Sequence, residues 1–180
     1  MNQELKQIEE EVKKCNKCKL CQTRKNTVFG DGNLNAQIMF IGEGPGADED
    51  LQGLPFVGKA GKLMNQAFLG VGIKREEVYI ANIVKCRPPQ NRNPENDEIV
   101  TCVEYLKKQI MIIKPEKIVL LGNVALKAVF GNEYNVTSSR GQWIEKKGIK
   151  YMPTFHPAAL LRDESKKIQF WQDLKKVKED

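Results

Sequence analysis

The sequence contains a single histidine and lacks any apolar run close to the ~20 residues that a membrane-spanning helix requires. Its first ten residues are mostly polar or charged and include no apolar signal segment. We therefore expect a soluble protein of the cytoplasm with no membrane partner. With 180 residues, the chain can bury roughly 70% of its unfolded surface, so it does not need disulfide bonds to fold. We expect one domain over residues 1–180, and a monomer.

The chain contains more basic than acidic residues. Lysine and arginine number 29 against 23 aspartate and glutamate residues, which gives a formal net charge of +6. Such an excess is compatible with a polyanionic partner such as DNA or RNA, because each neutralised phosphate releases counterions. Taken alone it selects no partner, since many lysine-rich proteins are basic without binding nucleic acid.

Three of the five cysteines, Cys15, Cys18 and Cys21, fall within seven residues, and Cys86 and Cys102 lie far downstream. Grouped cysteines in a cytoplasmic protein more often bind metal or do redox work than form disulfides. The first two cysteines could hold one side of a metal while the distant pair closes the other side. Thiolates suit zinc and iron–sulfur clusters alike, so the residue types leave both open.

Apolar runs alternate with helical patterns along the chain. The runs predict buried strands at 37–41, 78–84, 117–121 and 151–155. The helical spacing predicts a helix that delivers Cys15 at its end, helices at 59–69, 124–130 and 163–178, and one opened by Asn93-Pro94-Glu95. This alternation is typical of an α/β fold, and we expect a three-layer αβα sandwich with a central four-stranded parallel sheet.

Polar or glycine-rich turns follow each predicted strand. They are 42–46, Asn82 with 85–89, 122–123, and His156-Pro157. A parallel sheet brings these turns to one edge, where sites of such folds lie. The glycine turns fit neither the dinucleotide pattern nor a P-loop. Each feature alone has a structural explanation as a turn, a cap or a core residue, so the convergence of Glu43, Asn82 and His156 is the stronger signal.

Taken together, these segments resemble the family 4 uracil-DNA glycosylases. The segments 42–50 and 53–61 resemble the first motif of that family, and 82–92 and 156–160 resemble its later motifs. The resemblance runs from Cys15 to about Arg162. It implies an enzyme that flips uracil out of DNA and hydrolyses its N-glycosidic bond, leaving an abasic site.

The resemblance also implies roles for individual residues. Phe56 would stack on the base, Asn82 would read its edge, and His156 would bind uracil O2 as the bond breaks. The backbone of Gly42, Glu43 and Gly44 would line the same pocket. A carboxylate cannot come from position 44, where the wider superfamily often has aspartate. Glu43 is thus the first candidate for orienting water, with Glu49 second; otherwise Glu43 holds the loop and no dedicated base exists.

The DNA contacts implied by the resemblance lie beside these motifs. Leu160 or Leu161 would wedge into the minor groove, unless either is a core residue. Phosphate contacts would come from the basic side chains Lys85, Arg87, Arg92 and Arg162.

The resemblance favours a 4Fe-4S cluster held by Cys15, Cys18, Cys86 and Cys102. Cys21 is the competing ligand, but a ferredoxin run would continue with cysteine and proline where Lys25 and Asn26 stand. Two other functions stay open at this point: a metal-stabilised nucleic-acid-binding module without catalysis, and a redox carrier built on the cluster.

Overall fold

One six-stranded sheet forms the centre of the protein, whose computed structural model describes residues 2–180. The strands are β1 Asp31–Gly32, β2 Ile38–Gly42, β3 Tyr79–Asn82, β4 Lys117–Leu121, β5 Ile144–Lys146 and β6 Ile149–Thr154. Their order across the sheet is β1-β3-β2-β4-β6-β5. The four central strands are parallel, and β1 and β5 pair antiparallel at the two edges.

The prediction of a central four-stranded parallel sheet is therefore confirmed only in part: the four predicted strands exist and are parallel, but two antiparallel edge strands extend the sheet to six. The edge strands escape sequence analysis because they are short and mostly exposed: β1 has two residues, both exposed, and β5 has three, of which two are exposed. β5 joins β6 through Lys147 and Gly148, which have φ of 52° and 78°. Two successive positive φ values are typical of a tight hairpin turn, which forces the antiparallel direction.

Eight α-helices surround the sheet within the described residues. They are α1 Gln3–Lys13, α2 Ala47–Gln52, α3 Lys59–Val71, α4 Asn96–Ile113, α5 Asn123–Phe130, α6 Val136–Ser139, α7 Pro157–Arg162 and α8 Lys167–Glu179. Leu5, Ile8 and Val12 form the buried face of α1, and Cys15 lies two residues beyond the helix end. None of the helices in residues 2–180 combines the length and apolar character needed to span a membrane.

Two predicted helix starts are wrong. Helix α4 begins after Glu95 rather than at Asn93-Pro94, because the backbone N–H of Glu95 donates to the Glu98 carboxylate at 2.7 Å and closes a capping box. The last predicted helix divides: Asp163 caps a 3-10 turn over Glu164–Lys166, and α8 follows it.

The strand order determines where on the sheet a ligand site is expected. Because β3 and β4 lie on opposite sides of β2, the connections after β2 and β3 run in opposite directions across the sheet. Right-handed crossovers then put their helices on opposite faces, and the observed packing agrees, with α3 against α7 and α8, and α1 against α4. This pairing is consistent with the predicted αβα layering. Ligands of such sheets bind where the strand order reverses, which here is beyond the ends of β2 and its neighbours.

Candidate active site and cysteine cavity

A cavity of about 340 Å³ opens at the carboxyl edge of the parallel strands. Its walls come from the segments after β2, β3 and β6, from the start of α3 and from the loop before α4. The lining includes Glu43, Gly44, Pro45, Gly46, Glu49, Phe56, Asn82, Arg92, His156 and Arg162. The structure thus brings together the side chains that the sequence placed at separate strand ends. The volume is at the small end of the range for small-molecule sites and is large enough for a ligand of nucleobase size.

Asn82 is the last residue of β3 and is only 2% exposed. Within residues 2–180, its Oδ1 is the one buried side-chain oxygen or nitrogen that has no hydrogen-bond partner. Leaving such an acceptor unpaired costs about 1–3 kcal/mol. A buried, unpaired acceptor in a cavity wall is a site prepared for a donor from a ligand.

His156 follows β6 and precedes the first residue of α7. Its Nδ1 accepts a hydrogen bond from the backbone N–H of Ala158 at 3.0 Å. Burial, with a smaller contribution from the positive charge of Arg162, lowers the pKa of His156 to about 4. The ring is therefore neutral near pH 7, and because Nδ1 is an acceptor, the proton is on Nε2. The histidine presents a neutral N–H donor to the cavity.

The ring of Phe56 lies beside His156, with their ring centroids 5.5 Å apart and the planes inclined by 30°. Phe56 has φ of 52°, a left-handed conformation that costs a non-glycine residue about 1–3 kcal/mol. Gly42 leaves room for this ring, since a Cβ there would lie 2.6 Å from Phe56 Cζ and 2.5 Å from Asn82 Oδ1. A strained aromatic at a cavity wall points to function rather than to core packing alone.

Glu43 lies directly after β2 in the cavity wall. Burial raises the pKa of its carboxyl, against a smaller opposing effect of Arg162. Gly44 follows, and a Cβ at that position would lie 2.7 Å from Cγ2 of Val84. The turn therefore favours glycine, so the carboxylates in this wall are those of Glu43 and Glu49.

The structure contradicts two of the predicted DNA contacts, those of Lys85 and Leu160. Lys85 is 1% exposed, and its ammonium donates to the carbonyl of Phe29 at 2.9 Å and to Gln109 Oε1 at 2.6 Å. It cannot reach a phosphate. Leu160 is fully buried and belongs to the core, whereas Leu161 is 48% exposed. The alternation of side chains around α7 turns one leucine inwards and its neighbour outwards.

The remaining basic candidates are accessible to different degrees. Arg162 is exposed and lines the cavity. Arg87 is partly buried, and its Nε donates to Asn91 Oδ1 at 2.8 Å. Arg92, also in the cavity wall, donates from both terminal nitrogens to the Glu98 carboxylate at 2.8 and 3.0 Å. Glu98 was missed from the sequence, although the spacing Glu95-x-x-Glu98 is a capping-box signal.

All five cysteines are free thiols and line a second cavity. Cys15 follows α1, Cys18 and Cys21 lie at the next 3-10 turn, Cys86 follows β3, and Cys102 is in α4. The structure thus gathers the four predicted ligands from three separate segments. Cys21 lines the same cavity, so its exclusion from the ligand set stays a prediction.

Hydrogen-bond donors lie beside two of the thiols. Arg24 Nη1 lies 3.3 Å from Cys86 Sγ, and the backbone N–H of Lys85 lies 3.2 Å from Cys102 Sγ. Burial raises the pKa of Cys86, and that of Cys102 to about 11. Within residues 2–180, no group of three or more cysteine, histidine or acidic side chains is close enough to hold one metal ion. A single tetrahedral zinc would need such a group, with Zn–S bonds of about 2.3 Å.

Comparison with known proteins identifies the family of this chain. The model of the uracil DNA glycosylase superfamily matches residues 29–175. The type-4 uracil-DNA glycosylase of Sulfurisphaera tokodaii is 47% identical over 184 residues, covering 97% of this chain and 84% of that protein. That of Thermotoga maritima is 47% identical over 95% of this chain and 91% of its own length. That of Archaeoglobus fulgidus is 42% identical, with 97% and 92% covered. The chain therefore belongs to the uracil-DNA glycosylase superfamily and, within it, to the type-4 uracil-DNA glycosylases.

Proposed function

We propose that this protein removes uracil from DNA by hydrolysing the bond between the base and deoxyribose, leaving an abasic site. The observation that carries the proposal is the unpaired, buried Oδ1 of Asn82 in the wall of a cavity that is large enough for a base. A base stacked in a duplex is out of reach of such a cavity, so the nucleotide must be flipped out before it enters.

Asn82 would select uracil by its hydrogen-bonding edge. Its Oδ1 can accept from uracil N3–H while its amide NH2 donates to O4. Cytosine presents an acceptor at N3 and a donor at the exocyclic amine, the reverse pattern. Two buried groups would then be left unpaired, at about 1–3 kcal/mol each, which corresponds to discrimination on the order of a hundredfold.

His156 would act on the leaving group. As the glycosidic bond breaks, the sugar becomes cationic and the base leaves as an anion with charge on O2. The Nε2–H of a neutral histidine, oriented by the Ala158 N–H on its other nitrogen, can donate to that oxygen. A donor aimed at charge that develops only in the transition state lowers the barrier, by about 2.7–4 kcal/mol in known cases.

Phe56 would stack on the flipped base, a contact that is worth about 1–3 kcal/mol. A carboxylate in the cavity wall would orient the attacking water. Glu43 fits best, since it lies in the cavity wall with a raised pKa. Glu49 is the second candidate, and a purely loop-holding role of Glu43 is the alternative.

The DNA surface would surround the mouth of this cavity. The exposed Leu161, rather than the buried Leu160, is suited to wedge between base pairs. Arg162 and Arg87 would contact phosphates, and Arg92 in the cavity wall is the further candidate. Action as a monomer, a single-domain organisation and a location in the cytoplasm stay predictions.

Uracil release tests the proposal. Purified protein is incubated with an oligonucleotide that carries one uracil, and abasic sites are revealed by alkali. We expect cleavage by the wild type and a loss of roughly tenfold to a hundredfold in kcat/KM for Asn82→Ala. Asn135→Ala is the matched control, because Asn135 only caps α6 by accepting from the N–H of Thr137. No cleavage by the wild type, or an undiminished rate for Asn82→Ala, would contradict the proposal.

We also propose that Cys15, Cys18, Cys86 and Cys102 hold a 4Fe-4S cluster. Each thiolate of such a cluster binds a different iron, so the ligands are spread more widely than around one zinc ion. This suits five thiols that line one cavity without forming a single-ion site. When bound, the cluster supplies a covalent link between the chain after α1, the loop after β3 and helix α4.

Iron and sulfide analysis of purified protein tests the cluster. We expect about four irons and four sulfides per chain with visible absorption. Cys102→Ala should lose iron and lower the Tm, whereas Cys21→Ala should keep both. Zinc in place of iron, or loss of iron only in Cys21→Ala, would overturn the assignment.

A further inference from the structure

We propose that Arg75 is a positioning residue for the stacking ring of Phe56, and that it supports uracil binding without touching the substrate. The inference rests on the proposed function. Arg75 lies in a 3-10 turn, nineteen residues after Phe56, and is not among the walls of the uracil cavity. Its Nη1 donates to the carbonyl of Phe56 at 2.9 Å and its Nη2 to the carbonyl of Pro55 at 2.5 Å.

The backbone that Arg75 holds is one that would not form on its own. Phe56 has φ of 52°, a region that a bulky L-residue rarely adopts. The strain persists only where neighbouring structure over-determines the conformation. Gly61 of α3 permits it, because a Cβ there would lie 2.0 Å from the Phe56 oxygen. Gly61 leaves room for the carbonyl of Phe56, and the guanidinium of Arg75 holds that carbonyl by a hydrogen bond.

The guanidinium is itself fixed from a second direction. Nη1 also donates to Oδ1 of Asn65, one turn along α3 from Gly61, at 2.9 Å. One planar group thus joins the turn at 55–56, helix α3 and the turn before β3. Lysine cannot reproduce this, because its single ammonium lacks the rigid fork that reaches two carbonyls at once.

The position of the Phe56 ring in the cavity depends on its close neighbours. Phe56 lies against Gly42 on one side and 5.5 Å from the ring of His156 on the other. If the left-handed backbone relaxes, the ring turns away from both, and the stacking surface for the base moves with it. Arg75 therefore acts on uracil only through Phe56.

A mutant cycle with two readouts tests this. The variants are Arg75→Met, Phe56→Ala and the double variant. Lys117→Met is the control, because Lys117 at the amino end of β4 donates a hydrogen bond to the carbonyl of Val177. We expect Arg75→Met to lower kcat/KM by about tenfold, mainly through KM, because a displaced Phe56 ring loses part of its stacking contact with the base. In the Phe56→Ala background it should cause no further loss, whereas the control should keep wild-type kinetics. An undiminished further loss in that background would overturn the proposal.

The second readout does not depend on activity. Since the chain has one histidine, NOEs between its ring and that of Phe56 can be assigned directly. We expect them to weaken in Arg75→Met while those elsewhere in the core persist. Arg75→Lys and Asn65→Ala, which each keep part of the hydrogen bonding, should give smaller changes in the same direction. Unchanged NOEs in Arg75→Met, Arg75→Lys and Asn65→Ala would overturn the positioning role even if the wild type proved inactive. An inactive wild type with weakened NOEs in Arg75→Met would overturn the proposed function alone.

Discussion

At the scale of single residues, one backbone hydrogen bond decides the chemistry of His156. Because the Ala158 N–H donates to Nδ1, a proton can be added there only by breaking that bond. Burial opposes the charge as well and lowers the pKa to about 4. We expect uracil release to show no loss attributable to His156 as the pH falls through 6.5, the ordinary value for histidine.

The single histidine makes this testable by NMR. Nitrogen-detected spectra should show the Nε2–H tautomer and a pKa near 4. Because the folded pKa is below the unfolded one, the unfolded chain binds the proton first, so stability should fall as the pH drops from about 6.5 to 4. His156→Asn should lack this part of the pH dependence. A folded pKa at or above 6.5 would contradict the neutral-donor mechanism.

At the scale of elements, helix α4 connects the two sites. Its first turn carries Glu98, which holds Arg92 in the wall of the uracil cavity, and its second carries Cys102 in the cysteine cavity. Glu98 also accepts from the Glu95 N–H, so one buried carboxylate caps the helix and orients the arginine. The hydrogen bond from Arg92 is the main cause that lowers the pKa of Glu98.

Glu98→Gln should lower the Tm by on the order of 5 °C near neutral pH, because it weakens charged hydrogen bonds at a buried position. The folded pKa of Glu98 is below its ordinary value, so the stabilisation is present above about pH 4.5 and disappears as the pH falls through the folded pKa. Thermal melts across this range measure both effects. Glu104→Gln on the exposed side of α4 should change little, and equal shifts for the two variants would refute the capping role.

The elements also show what could be predicted from the sequence and what could not. The parallel strands were predictable because buried strands are continuous apolar runs, as at Lys117–Leu121. The edge strands were not, since a two-residue strand such as Asp31–Gly32 has no period to detect. The site residues follow strand ends and could be proposed together. Burial of Lys85 could not be foreseen, because its partners Phe29 and Gln109 are distant in sequence.

At the scale of the whole molecule, the cysteine-bearing segment is tied to the body of the fold by contacts other than thiols. Lys19 pairs with Glu95 at the start of α4. The backbone N–H groups of Lys25 and Asn26 donate to the buried carboxylate of Asp50 in α2, at 2.9 and 3.2 Å. The segment therefore contacts α2, which follows the turn with Glu43, and the start of α4, which follows the loop with Arg92. These contacts make a scaffolding role for the cluster consistent with the positions of the site residues.

The chain has a formal net charge of +6, and the structure indicates which basic residues should face DNA. Arg162 lines the cavity at the carboxyl ends of the strands, and Arg87 donates to Asn91 in the wall of that cavity. Lys178 lies beside Ile38 and Val78 at the amino ends. We expect Arg162→Gln and Arg87→Gln each to reduce the slope of log K against log salt by about 0.9, the value for one lost phosphate contact on duplex DNA. Lys178→Gln should leave the slope unchanged.

Fluorescence anisotropy on a duplex with one abasic site measures this without turnover. A change of affinity in Arg162→Gln with no change of slope would mean that the arginine acts on the cavity, where it faces Glu43 and His156, rather than on a phosphate. An equal change for Lys178→Gln would mean that binding follows net charge and not the cavity edge. DNA that lies across the mouth of the uracil cavity should make the salt slope depend on the arginines at the carboxyl ends of the strands. It should not depend on Lys178 at the amino ends.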